Sequence, residues 1–268
     1  MFYRNVAAGV LALSLIFTSG LASAESLLDE VKARGTVKIG LRKDFPPVGF
    51  IDRDGSWVGT EIDFAHYVAE KLGVELEMVE VISKTKIPLL LNGNIDILMA
   101  ASNPTRERAK IVDFTQPYQI DGQTILVRKD SGITTLDDLA NHKVGTVQGS
   151  LDGDQLVKRQ PTAELVYFQE YPNAVLALQS GRVDAVTTSY SVLAKFAAQD
   201  DNLVVMPKTF RPDPFVMIIR QDDSKWRLAL EDIIMSAMDD GTLKKIHEKY
   251  IGGALTVEPD MWADYYKK

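Results

Sequence analysis

The sequence predicts an α/β clamshell of two lobes, each a mostly parallel sheet flanked by helices, joined by two extended hinge crossings. Three observations carry this reading. Short β-branched runs alternate with stretches of helical period. The alternation comes as two sets, separated by a β-rich run at residues 122–128. A second β-rich run at residues 216–220 follows the second set and returns the chain to the first lobe. A β-α-β-α-β order makes neighbouring strands parallel. The expected division is residues 25–121 for the first part of lobe 1 and 122–217 for lobe 2 with its hinge strands. Residues 218–268 form the return to lobe 1 and the C-terminal helices. The hinge is expected near residues 121–127 and 211–218, with a ligand held between the lobes at the loops that follow the strand ends.

The elements follow in order. Residues 36–40 form a short β-branched run and predict a strand. Residues 62–72 place Ile62, Ala65, Val68, Ala69 and Leu72 on one stripe, an amphipathic helix stopped by Gly73. Residues 74–81 alternate Val74, Leu76 and Met78 with acids, as a strand does. Residues 87–91 lead into Asn92-Gly93-Asn94, a helix stop, and residues 95–100 are an apolar strand. In the second set, Thr135 predicts an N-cap with Asp138 three residues on, a capping-box variant. Strands are expected at 143–147 and 184–188. Helices are expected from Gly149-Ser150 onward, over 172–179 ended by Gly181, and over 191–198. Residues 226–238 and 243–250 close the chain as helices around Asp239-Asp240-Gly241. The tail from Leu255 has weak periodicity.

The N-terminus predicts export. Arg4 supplies a positive start, residues 6–17 an apolar core, and Leu21-Ala22-Ser23-Ala24 a small-x-small cleavage site, so residues 1–24 read as a signal peptide removed after Ala24. The apolar run is too short for a transmembrane helix. With no cysteine in the chain, neither a lipid anchor nor a disulfide framework is expected. The expected location is the periplasm. Without Arg4, 29 basic residues face 37 acidic ones. That excess of acid argues against nucleic acid, which needs a basic footprint, and favours solubility. The apolar fraction of 46% suits a packed globule.

The most informative stretch is SNPTRERAKIVDFTQPY, Ser102 to Tyr118. It follows the apolar strand with a polar turn, Arg106 and Arg108, then Asp113-Phe114-Thr115 and Pro117-Tyr118. It resembles the signature of periplasmic solute-binding proteins of the polar and acidic amino acid ABC-transporter type (family 3 solute-binding proteins). Residues 25–40, Asp54 to Asp63, and Asp239 to Tyr250 resemble other blocks of that family in the expected order. The resemblance implies a periplasmic protein that captures a small carboxylate ligand and delivers it to an inner-membrane ABC permease. With no nucleophile motif and no metal-ligand cluster in the sequence, no cofactor, no metal and no catalysis are expected, and a monomer is expected.

The resemblance also implies a site. Arg108, six residues before Phe114, would grip the ligand carboxylate, and a guanidinium offers two parallel donors for that task. Arg42, in an R-x-x-x-x-P pattern ending at Pro47, would face a side-chain carboxylate, as in acidic amino acid binders. Ser83 and Lys86 belong to S-K-T-K-I-P-L-L, where lysine keeps the charge of the usual arginine and loses its fork. Phe45 would pack on the ligand. Asn103 would donate through its amide, and Ala101 would offer only backbone. Ser150, at the start of a helix, would suit an anion.

Ser189 departs from the pattern, because amino acid binders carry there an aspartate that neutralises the ligand's ammonium. A buried ammonium without a carboxylate is costly. Either another acid such as Asp152 substitutes, or the ligand lacks an amine. With Arg42, Lys86 and Arg108 in the cleft and no certain acid, the expected ligand is an acidic amino acid or a dicarboxylate-like anion. Two alternatives share the fold: a cyclohexadienyl dehydratase-like enzyme acting on prephenate, and a soluble ligand-sensing partner of a membrane receptor. The enzyme needs a positioned general acid. His66, His142 and His247 lie apart and read as surface or satisfied residues.

Overall fold

The computed structural model describes residues 25–252. The predicted signal peptide and the tail from Leu255 lie outside them.

The first lobe opens with α1 (Leu27–Arg34), β1 (Thr36–Leu41) and a small antiparallel sheet of β2 (Asp44–Phe45), β3 (Gly49–Ile51) and β4 (Trp57–Val58). It continues through α2 (Thr60–Leu72), β5 (Glu75–Glu80), α3 (Lys86–Leu91) and β6 (Ile97–Leu98). The five apolar residues that predicted α2 are all buried, and Gly73 ends the helix at φ 72°, a conformation that favours glycine. The 16-residue strand β7 (Asp113–Arg128) then leads into the second lobe. That lobe contains β8 (Lys143–Val147), α4 (Asp152–Val157), β9 (Glu164–Phe168), α5 (Tyr171–Gln179), β10 (Ala185–Ser189), α6 (Tyr190–Ala197) and β11 (Leu203–Val205). The chain returns along β12 (Arg211–Ile219) to α7 (Ser224–Asp239) and α8 (Thr242–Tyr250).

One curled sheet runs through both lobes in the order β5-β1-β6-β12-β7-β10-β8-β9, with β11 on β7. Strands β5, β1 and β6 are parallel, and so are β10, β8 and β9. Between these two parallel sets, β12 and β7 pair antiparallel, from Arg211 opposite Gln123 to Ile219 opposite Asp113. The strands that contain the two β-rich runs form one antiparallel ribbon between the lobes, but the runs themselves do not face each other: 216–219 lies along 113–117, and 122–123 along 211–212. Phe215 to Ile219 are fully buried, as a strand covered on both faces requires. Each such apolar side chain contributes about 1.5–3 kcal/mol.

Several local expectations change. The apolar run 95–100 is a strand only at Ile97–Leu98. The predicted helix after Thr135 is a single 3₁₀ turn, Asp137–Leu139. There the capping runs in reverse: Asp138 accepts from the N–H groups of Thr134 and Thr135. The strand β9 carries no apolar alternation strong enough to have marked it, and Tyr167 on it is exposed.

Candidate functional site

All nine residues singled out from the sequence line one cavity between the lobes. Arg42, Phe45, Ser83, Lys86, Ala101, Asn103 and Arg108 come from lobe 1, and Ser150 and Ser189 from lobe 2. The side chains fill it almost completely, leaving about 20 Å³, room for one or two waters. The lobes meet closely. A Cβ on Gly149 would lie 2.9 Å from the Ser83 carbonyl oxygen and 3.0 Å from the Lys84 backbone, so only glycine fits, and its φ of 83° agrees. Across the cleft Phe45 and Tyr171 place their ring centroids 5.0 Å apart.

Arg42 does not present a bare charge to the cavity. Its Nε and Nη2 donate to the two carboxylate oxygens of Asp44 at 2.8 and 2.5 Å, and Nη1 donates to Ser83 Oγ at 2.7 Å. The guanidinium lies 4.6 Å from the Phe45 ring centroid and 5.5 Å from that of Tyr171. Lys86, 4% exposed, donates from Nζ to the Ala100 carbonyl and Ser102 Oγ. Burial, then the charges of Arg108 and Arg42, hold its pKa well below the usual lysine range. Arg108 begins a 3₁₀ turn and donates from Nη1 to the Asn103 carbonyl oxygen at 2.9 Å. Asn103 donates a side-chain N–H to the Pro214 carbonyl on β12, so its amide ties the lobe to the crossing. Ala101 takes a positive φ of 44°, and its N–H goes to Glu61.

The expectation that the cleft holds no certain acid is overturned. Asp152 and Asp213 both line it. Ser189 Oγ donates to Asp213, so the corner that lacks an aspartate on β10 receives one from β12. The aspartate arrives from a strand distant in sequence, which is why spacing around Ser189 could not find it. Asp152 accepts from Tyr171 Oη at 2.5 Å and Thr188 Oγ1 at 3.0 Å. Tyr171, Thr188 and Leu151 complete the wall. The only sequence signal for Asp213 is its setting, Pro212-Asp213-Pro214 inside a β-rich run. The helix start at Ser150 also differs: α4 is six residues long and begins at Asp152 with Asp154 in its first turn. An anion there would meet a carboxylate. Ser150 Oγ instead sits 3.3 Å from Thr146 Oγ1.

Burial pushes Asp213 up to about 7, with the nearby charge of Asp152 adding to the shift, while Arg211 and the Ser189 hydroxyl oppose it. Behind the cavity, Glu61 accepts at Oε1 from Tyr118 Oη and the Ala101 N–H, at 2.5 and 2.8 Å. Among the described residues its buried Oε2 has no partner. Burial raises Glu61 to about 7 despite those hydrogen bonds and the charges of Lys86 and Arg42. A carboxyl whose folded pKa exceeds its unfolded value of about 4.3 favours folding when protonated. Its destabilising effect is absent below about pH 4 and grows until about pH 7. Thermal denaturation of the ligand-free protein should therefore show stability falling as pH rises from 5 to 7.5. Glu61→Gln should remove part of that slope, and an unaltered slope would assign it wholly to other groups such as Asp213.

Two α/β lobes closed over a buried polar cavity, with paired crossings between them, define a solute-binding clamshell. Residues 37–253 match the model for bacterial extracellular solute-binding proteins, family 3, and the chain belongs to that family. A glutamine-binding protein of Geobacillus stearothermophilus is 37% identical over 199 residues, 72% of this chain and 76% of that protein. The ABC transporter glutamine-binding protein GlnH of Bacillus subtilis is 32% identical over 242 residues, covering 87% of this chain and 89% of its own. Among solved structures, the ancestral amino acid-binding protein AncCDT-1, a precursor of cyclohexadienyl dehydratase, matches with TM-score 0.78 and 34% identity. The match covers 85% of this chain and 100% of that one.

Proposed function

We propose that this protein is the amino acid-binding component of an ABC importer and that its ligand is a zwitterionic α-amino acid. One observation carries this: the same closed cavity presents cations, Arg108 and Lys86, and carboxylates, Asp152 and Asp213. Arg108 takes the α-carboxylate, and the Asp152–Asp213 corner takes the α-ammonium, whose burial requires a carboxylate. An amine-free dicarboxylate would place its own charge against those two acids, so the amine-bearing branch of the carboxylate expectation is the one retained. Phe45 and Tyr171 flank the remaining space and pack on the aliphatic part of the ligand. The names of the relatives, binding proteins for glutamine or for amino acids, support a binder over an enzyme, and one of them names an ABC transporter. A cavity of about 20 Å³ admits no amino acid, so the lobes open about β7 and β12 for entry and close by hinge motion.

Thermal-shift screening tests the reading. A ligand at 100 times its Kd stabilises by about 2.7 kcal/mol. The screen should contain glutamine, asparagine, glutamate, aspartate, arginine, cystine, succinate and malate, with prephenate turnover assayed alongside. The expected result is a dominant shift from an α-amino acid and no turnover. A dominant shift from succinate or malate would refute the zwitterion.

A further inference from the structure

Asp44 stands outside the set of residues that line the cleft. It is 8% exposed and faces a neighbouring hollow with Lys43, Pro46 and Phe50. Its carboxylate holds the Nε–Nη2 edge of Arg42 with both oxygens, and Ser83 holds Nη1. Stacking on Phe45 and Tyr171 keeps the guanidinium in place. Arg42 therefore lines the cavity as half of a neutral pair, its charge already answered by Asp44.

The balance around the cavity depends on that pair. Arg42, Lys86 and Arg108 on the wall face Asp152 and Asp213. Asp44 makes three carboxylates against three basic side chains, of which Lys86 has its charge disfavoured by burial. The next groups outward are Arg211 and Asp121 within the field of Asp213, and Glu61 within the field of Lys86 and Arg42. A zwitterion with an uncharged side chain adds no net charge to this surrounding. An acidic side chain would bury one further negative charge, which a closed cleft penalises.

Resting on the amino acid reading above, we propose that Asp44 sets the side-chain charge selectivity of this protein: by neutralising Arg42 from behind, it makes the cleft accept uncharged side chains in preference to acidic ones. Selectivity of this kind comes from an unfavourable element against the wrong ligand as much as from contacts to the right one. Arg42 alone would point to an acidic ligand, and Asp44 reverses that.

Isosteric ligand pairs isolate the charge. Calorimetric titration of the protein with glutamine against glutamate, and asparagine against aspartate, should show the uncharged member bound at least tenfold more tightly. Asp44→Asn should move the acid-to-amide affinity ratio toward the acid by at least tenfold. Equal affinity within a pair for the wild type, preference for the acid, or a ratio unchanged in D44N would each overturn the proposal. Circular dichroism checks the fold of D44N. If that variant does not fold, the R42Q/D44N double variant decides, because removing both charges restores the balance and should retain the wild-type preference. Loss of that preference would overturn the role of the pair. Failure of the wild type to bind any α-amino acid would end both proposals, whereas binding without discrimination ends only this one.

Discussion

Arg108→Ala is expected to weaken amino acid binding by about 2–5 kcal/mol, the loss typical when one partner of a buried charge pair is truncated. The ligand carboxylate would then be buried in a closed cavity against Lys86, whose own charge is disfavoured there by burial. Arg108→Lys separates the contributions. Lysine keeps the positive charge and loses the planar fork, so it should recover only part of the affinity. Because Arg108 also donates to the Asn103 carbonyl at the start of a 3₁₀ turn, the thermal stability of each variant must be measured beside its affinity. Calorimetric titration showing unchanged affinity in the alanine variant would remove Arg108 from the site.

Binding should also depend steeply on pH, with affinity rising from pH 5.5 to about 7 and levelling above about 8. The sign follows from Asp213. Burial holds it near 7 in the ligand-free protein, and an ammonium beside it would favour the ionised form and lower that value. Below about pH 7 binding must release the Asp213 proton, which costs up to tenfold in affinity per pH unit. Above that range the carboxylate is already ionised and the dependence disappears. Asp213→Asn should flatten the profile and weaken binding at pH 8 by about 2–5 kcal/mol. Glu61, raised to about 7 as well, does not line the cavity, so Glu61→Gln should leave the slope in place. A slope that survives in D213N and vanishes in E61Q would move the titrating group from the cleft to the lobe behind it.

Taken alone, the sequence determined the parts that local pattern controls. The stripe from Ile62 to Leu72 and the alternation of strands and helices fixed two parallel sets and the crossings between them, because amphipathic period and chain order leave few topologies. The motif from Ser102 to Tyr118, the R-x-x-x-x-P and S-K-T-K-I-P-L-L patterns, the helix start at Gly149-Ser150 and the strand ending at Ser189 together led to nine residues that share one cavity. Tertiary structure decided the charge of that cavity. Asp213 arrives on β12 to meet Ser189 on β10, 24 positions away in sequence, and Tyr171 on α5 orients Asp152 on α4. Asp44 lies only two residues from Arg42, yet its effect was equally invisible. A charge in sequence has no direction, and only the fold shows that this carboxylate turns back on the guanidinium instead of toward solvent. Which cations remain to greet a ligand depends on pairwise geometry between elements brought together by folding, and local periodicity carries no record of it.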